Sequence, residues 1–303
     1  MPSFVDTVPQ ISIGLADNTK ILNAWNAGFR LIRLPSETDA FPIGVVDYAV
    51  SLGFKVVVDF HPGPIAWWNK RGNFIHLAEI TRIRTEQLLP YTADQVAIEI
   101  INEPRMKARS TFYTRYITSI IKNIREISPD RWIIISNPQM SDIDYYAGPL
   151  LSWVPPTATR LIVGLHYYRP FNLTHPTHYL QGTASNNPYP HPYPPSLTQN
   201  PSFPLNPPFA NDLDGNFAVN DWANRALHFS NFATWCATYG VTPWIGETGI
   251  LDTVPQRIQW MTEVKSLATT NGIKICWWAW GDIFGYKPTQ ADGAAVLALM
   301  IAP

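Results

Sequence analysis

Apolar residues along the chain fall into two alternating patterns: short runs that suit buried strands, and longer runs spaced three and four apart that suit one face of a helix. Gln10 to Leu15 is a short β-prone run, followed by a helix that Asn18 is placed to cap, with Ile21, Leu22 and Trp25 on one face and Gly28 at its end. Phe29 to Leu34 reads as a second strand stopped by Pro35, and a helix opened by Pro42 carries Val45, Val46, Ala49 and Val50 to Gly53. Lys55 to Phe60 is a third strand, apolar from Val56 onward apart from Asp59, as a strand buried on both faces should be. A helix over about 74–89 precedes the fourth strand, Val96 to Ile101, which ends in Asn102-Glu103-Pro104. Phe112, Tyr116, Ile120 and Ile124 step by four through the next helix, which Ser128-Pro129 breaks. Trp132 to Ser136, Leu161 to His166, Thr242 to Glu247 and Ile273 to Trp280 read as strands five to eight. Between and after them lie a weaker helix over roughly 142–153, a strong one from Asn220 to Gly240, one opened by Pro255, and a last apolar one over about 294–301.

Eight strands, each followed by a helix, in 303 residues predict an α/β chain folded as a single (β/α)8 barrel over residues 1–303, in preference to a doubly wound sheet. One stretch breaks the rhythm. Between Arg169 and Asn220 neither period continues, and residues 188–208 contain nine prolines with Tyr189, Tyr193 and Phe203 among them. This insert would lie in the loop after strand six, on the rim where barrels place their chemistry, and it reads as a stiffened wall of a cleft.

Composition changes the picture in two ways. Basic and acidic residues number 22 and 23, so there is no charge field to hold nucleic acid and no basic run to hold an anionic membrane. Aromatic residues are abundant, with 12 Trp, 13 Tyr and 14 Phe, which suits a site that grips flat, hydroxylated ligands. No apolar run reaches the length of a membrane span, and Met1 to Gln10 lacks a signal-peptide pattern. Cys236 and Cys276 have neither metal spacing nor disulfide density, and both are expected to be buried thiols.

In a parallel barrel, functional groups gather at the carboxyl ends of the strands. Those positions hold Arg33, His61, Asn102 with Glu103, His166 with Tyr168, Glu247, and Trp280, from six different strands. Two glutamates facing one another across the barrel mouth match the cleavage of a glycosidic bond, in which one carboxyl protonates the leaving oxygen and the other attacks carbon or activates water. Spacing does not decide which glutamate does which. Trp280 and the loop residue Trp68 are candidates for stacking on sugar rings, whereas Trp244 and Trp277 read as core. A metal-dependent hydrolase is disfavoured because the chain has no His-x-His pair and no Glu-x-x-His at a strand end. No metal and no cofactor is expected. A carbohydrate-binding barrel without catalysis would not require both glutamates.

Together these motifs resemble the family 5 glycoside hydrolases, retaining β-glycanases of the (β/α)8 class, over about residues 29–280. The resemblance implies that Glu103 of Asn-Glu-Pro is the acid/base and that Glu247 of Trp-Ile-Gly-Glu-Thr-Gly is the nucleophile. It further implies that Arg33, His61, Asn102, His166, Tyr168 and Trp280 bind substrate, and that the segment 166–176 is similar to that of bacterial endoglucanases. Pro62 stands where many relatives carry a second histidine. The resemblance thus implies an endo-β-1,4-glucanase acting on an oligo- or polysaccharide. Mannan, β-1,3-glucan, xyloglucan or a smaller glycoside are the alternative substrates. Secretion is implied by the resemblance alone, and a monomer is the working expectation.

Overall fold

The computed structural model describes residues 3–62, 71–104, 110–138, 140–143, 159–169, 174–175, 220–282 and 284–302. Eight parallel strands close into a barrel in sequence order, with the eighth pairing back to the first. They are β1 Gln10–Ser12, β2 Leu31–Ser36, β3 Lys55–Phe60, β4 Val96–Glu99, β5 Ile133–Ser136, β6 Leu161–Tyr167, β7 Thr242–Thr248 and β8 Lys274–Trp277. Among the described residues seven α-helices accompany them: α1 Asn18–Asn26, α2 Ile43–Leu52, α3 Arg71–Gln87, α4 Ser110–Ile127, α5 Asn220–Tyr239, α6 Arg257–Thr270 and α7 Gly293–Ile301. The proline-rich segment 188–208 lies outside the described residues, as does all but the start of the helix expected at 142–153.

Strand side chains alternate between two buried surfaces, which is why the sequence runs are so uniformly apolar. Leu31, Val57, Ala97, Ile134, Ile162, Trp244 and Cys276 form an inner cluster. Ile32, Val56, Val58, Ile98, Ile133, Ile135, Val163 and Ile245 belong to the larger core shared with the helices. Two residues beyond the inner apolar layer, the same strands carry Arg33, Asp59, Glu99 and Ser136, all at most 1% exposed. An apolar floor therefore supports a polar ceiling at the carboxyl end. At the opposite end the 3-10 turn Phe4–Asp6 adds Phe4 and Val5 to the inner cluster, and the Trp244 indole donates to Gln10 Oε1 at 2.7 Å. That end is filled, so the chemistry belongs to the other rim.

Several local expectations change for identifiable reasons. Asp17, not Asn18, caps α1, its carboxylate accepting from Lys20 N–H at 2.8 Å. Pro35 lies within β2 instead of ending it. Odd-numbered residues of β2 turn their backbone toward β1, as the bond from Ile13 N–H to Arg33 O shows, and β1 has already ended at Ser12. The missing proline N–H thus breaks no ladder bond. Strand β8 stops at Trp277, so strict alternation does not carry through to Trp280. Both cysteines are buried and unpaired. Among the described residues no helix is long and apolar enough to cross a membrane.

Strand β7 contains the irregularity that matters for the site. Leu165 pairs with Ile245, but His166 pairs with Glu247, leaving Gly246 without a partner in β6. This extra residue reverses the alternation and brings Glu247 alongside His166. A Cβ on Gly246 would sit 2.8 Å from Cζ3 of Trp244, in the barrel interior. Gly246→Ala should therefore destabilise the protein by about 1–3 kcal/mol, the cost of overpacking a core. Thermal unfolding should show the transition lowered by several degrees; an unchanged midpoint would mean that the Trp244 ring yields freely.

Candidate active site

Arg33, on β2, is fully buried and lies at the middle of the polar ceiling. Its Nε donates to Glu99 Oε2 at 2.6 Å, and its Nη2 reaches Glu99 Oε1 at 3.2 Å and Asn102 Oδ1 at 2.8 Å. Nη2 also lies 2.9 Å from Asp59 Oδ2, and Nη1 donates to Glu247 Oε2 at 3.0 Å. One guanidinium thereby links β2, β3, β4 and β7. The planar fork of arginine suits this task, since its donors diverge in fixed directions.

Around it the other polar residues form a continuous chain. His61 Nδ1 is 2.9 Å from Asp59 Oδ2, and its Nε2 is 3.2 Å from Asn102 Nδ2. His166 Nδ1 is 3.0 Å from Glu103 Oε1, and the Tyr168 hydroxyl donates to Glu247 Oε1 at 2.8 Å. Glu103 has φ of 40°, a left-handed conformation that costs a non-glycine residue about 1 kcal/mol or more. It is held there by bonds on both sides, from Asn102 N–H to Phe60 O and from Met140 N–H to Pro104 O, each 2.8 Å. Glu103, His166 and Glu247 each present one nitrogen or oxygen atom within 4.8 Å of the other two.

Seven of the nine residues expected from sequence, Arg33, His61, Asn102, Glu103, His166, Tyr168 and Glu247, are thus connected through side-chain contacts. Trp280 is not among them: it is 8% exposed and its ring packs against Phe29 and Tyr286. Among the described residues Trp278 lies beside the site, half-buried and stacked on His61 with centroids 5.7 Å apart and planes at 21°. Both tryptophans lie beyond Trp277, the last residue of β8. Trp68 lies outside the described residues.

The sequence reading passed over Asp59 and Glu99. Their signal was present: each is the single acidic residue in an apolar strand, and Asp59 pairs with Glu99 in register, both projecting inward. Behind the site, Arg169 Nη2 contacts both oxygens of Asp142 at 2.7 and 2.8 Å, and His166 N–H donates to Ser141 O at 2.8 Å. Thr174 donates to Tyr168 O at 2.7 Å, and the His175 ring packs between Tyr168 and Phe284.

The model of the cellulase family, glycosyl hydrolase family 5, matches residues 21–283. The chain belongs to that family. Solved structures with the same fold include endoglucanase Cel5A of Thermotoga maritima, with a TM-score of 0.76 and 18% identity over 99% of this chain and 100% of that one. A hyperthermophilic endo-β-1,4-glucanase aligns with a TM-score of 0.75 and 20% identity over 98% and 99%. An endoglucanase aligns at 0.72 and 20% over 99% and 100%. A sequence search of curated proteins finds no significant match.

In this family 5 glycosidase the buried charges divide clearly. Burial opposes the charge on Arg33, but Asp59, Glu99 and Glu247 outweigh it and hold the guanidinium protonated. Burial also opposes the charge on Asp59, where Arg33 and the bond from His61 prevail and depress its pKa. At Glu99 burial prevails, with repulsion from Asp59, and its pKa rises despite Arg33. Burial and the neighbouring Glu247 push the Tyr168 phenol well up, so it remains a donor. At His166 burial favours the neutral ring, but the charges of Glu247 and Glu103 raise its pKa.

A histidine whose folded pKa exceeds its unfolded value near 6.5 adds stability fully present below that pH and lost as pH rises through the folded value. His166→Gln should therefore lower the unfolding temperature most at about pH 6, with the deficit shrinking toward about pH 9. A deficit that stays constant across that range would argue against a charged His166.

Proposed function

We propose that this family 5 hydrolase is a retaining endo-β-1,4-glucanase, with Glu247 as nucleophile and Glu103 as acid/base. The observation that carries the reading is the carboxylate spacing. An oxygen of Glu103 lies within 4.8 Å of one of Glu247, close to the roughly 5–5.5 Å of retaining enzymes and short of the roughly 6.5–9.5 Å that inverting enzymes need to admit water.

In the first step Glu247 attacks the anomeric carbon as the glycosidic C–O bond breaks, and the Glu103 carboxyl gives its proton to the departing oxygen. In the second, Glu103, now a carboxylate, takes a proton from water as that water attacks the anomeric carbon and frees Glu247. Arg33 and Tyr168, donating to separate oxygens of Glu247, fix the plane of its carboxylate. His166 contacts Glu103 and steadies the charge that forms there after proton transfer. The Asn102 amide nitrogen, which carries a second N–H beside the one facing His61, meets a sugar hydroxyl, and Trp278, stacked on His61, offers a ring face to the pyranose. The abundance of aromatic residues and the absence of a strong net charge fit a neutral polysaccharide.

The glucan preference draws on the endoglucanase neighbours. The Thermotoga Cel5A is described in complex with cellobiose and with mannotriose, which makes β-mannan the second substrate to test.

Glu247→Ala should abolish reducing-sugar release from soluble β-1,4-glucan, with a loss on the order of 10⁴-fold or more, in a protein that still folds but unfolds at a lower temperature because Arg33 loses a carboxylate partner. Near-wild-type turnover in that variant would remove the mechanism. Glu103→Ala should lose about 10²–10⁴-fold on polysaccharide but keep most of its glycosylation rate on aryl glycosides with activated leaving groups. An equal loss on both substrates would count against an acid role.

A further inference from the structure

Arginine can only donate, and Arg33 thereby fixes the direction of a chain of hydrogen bonds beside it. Its Nη2 lies 2.8 Å from one arm of the Asn102 amide, so that arm is the oxygen. The amide nitrogen then faces His61 Nε2 at 3.2 Å. An N–H needs an acceptor, so Nε2 carries the lone pair and the ring proton sits on Nδ1. Asp59 Oδ2 accepts that proton from 2.9 Å. The bonds run from Asn102 to His61 to Asp59, and none can reverse while Arg33 keeps its place.

The hydrolytic mechanism gives Asp59 no task, yet its carboxylate is fully buried. Oδ2 meets both His61 and Arg33, whereas Oδ1 has no hydrogen-bond partner among the described residues. One oxygen therefore does all the work. With its first N–H committed to His61, Asn102 turns the second toward the cleft as a donor. A proton on Nε2 would oppose the amide N–H and turn Asn102 away from that pose. Burial and the charge of Arg33 on β2 oppose a second proton on His61, but Asp59 and Glu247 on β7 favour it and raise the ring's pKa. Asn102 and Trp278, the other groups against the ring, carry no charge. The ring is neutral, and the chain complete, above that pKa.

We propose that Asp59 is a positioning residue for hydrolysis: by accepting the Nδ1 proton of His61, it fixes the tautomer that aims the free N–H of Asn102 at the sugar. The role in hydrolysis rests on Asn102 as a sugar contact; the tautomer does not.

The test uses the full chain labelled with nitrogen-15 in its histidines, the His61 signals being identified by their absence from His61→Phe. Once pH is high enough that these signals stop titrating, the wild type should show a protonated Nδ1 and a bare Nε2. Asp59→Ala should move the proton to Nε2 and lower kcat on soluble β-1,4-glucan, per folded molecule, by about ten- to a hundredfold. Asp59→Asn loses the same charge beside Arg33 but keeps an acceptor oxygen, with its NH2 where Oδ1 has no bond to lose. It should retain the tautomer and about tenfold more of kcat than Asp59→Ala. In a His61→Phe background, Asp59→Ala should cost little more. Equal losses in the two Asp59 variants, or a full loss that persists without His61, would place the effect on Arg33 and overturn the proposal. Should Asp59→Ala not fold, a wild-type ring protonated on Nε2, or an unchanged kcat in His61→Phe, would overturn it equally. A protein that hydrolyses glucan with Nε2 protonated loses only this proposal. One with the expected tautomer that cleaves no glycan keeps the directed chain and loses the hydrolytic assignment with the role built on it.

Discussion

The structure depends on the burial of one charge, the guanidinium of Arg33. Taking an ion out of water costs several kcal/mol even in a relaxed protein interior, and that cost is recovered only with good geometry and full hydrogen bonding. Arg33 meets both conditions, with all three nitrogens engaged by Glu99, Asp59, Asn102 and Glu247. Losing one partner of such a set leaves an uncompensated buried charge, at about 3–5 kcal/mol. Four strands are therefore held in one relative register at the level of the site. The apolar layer beneath makes this possible, since side chains such as Leu31, Val57 and Ile134, each contributing about 1.5–3 kcal/mol on burial, keep the barrel from closing differently.

Around this fixed centre, backbone irregularities set the direction of two carboxylates, Glu103 and Glu247. The unpaired Gly246 turns Glu247 inward, and the left-handed turn at Glu103 bends its carboxyl toward His166. Neither conformation is cheap, and both persist because neighbouring bonds over-determine them. The end of β6 is secured by the Asp142–Arg169 pair and by Ser141, while Thr174 and His175 hold Tyr168 from behind. Residues outside the hydrogen-bonded cluster thus help to set how the Glu103 and Glu247 carboxylates sit relative to each other.

Much of this was legible in the amino-acid sequence. The strands are buried on both faces, so their apolar runs were unmistakable, and eight strand–helix alternations left little room for another topology. The strand-end polar residues were found because position along a barrel strand is a one-dimensional property: Arg33, His61, Asn102, Glu103, His166, Tyr168 and Glu247 needed only the strand boundaries. What the sequence could not decide was anything that depends on where alternation fails. Trp280 was expected at the site from the resemblance, and strand pattern could not single out Trp278, since both lie beyond Trp277, the last residue of β8. Asp59 and Glu99 were passed over because their meaning lies in a shared partner 26 and 66 residues away in the chain, Arg33. Pairing between distant segments, the inserted residue in β7 and the orientation of the His166 ring come from closure of the barrel. They exist only once non-local contacts have formed, and no local pattern encodes them.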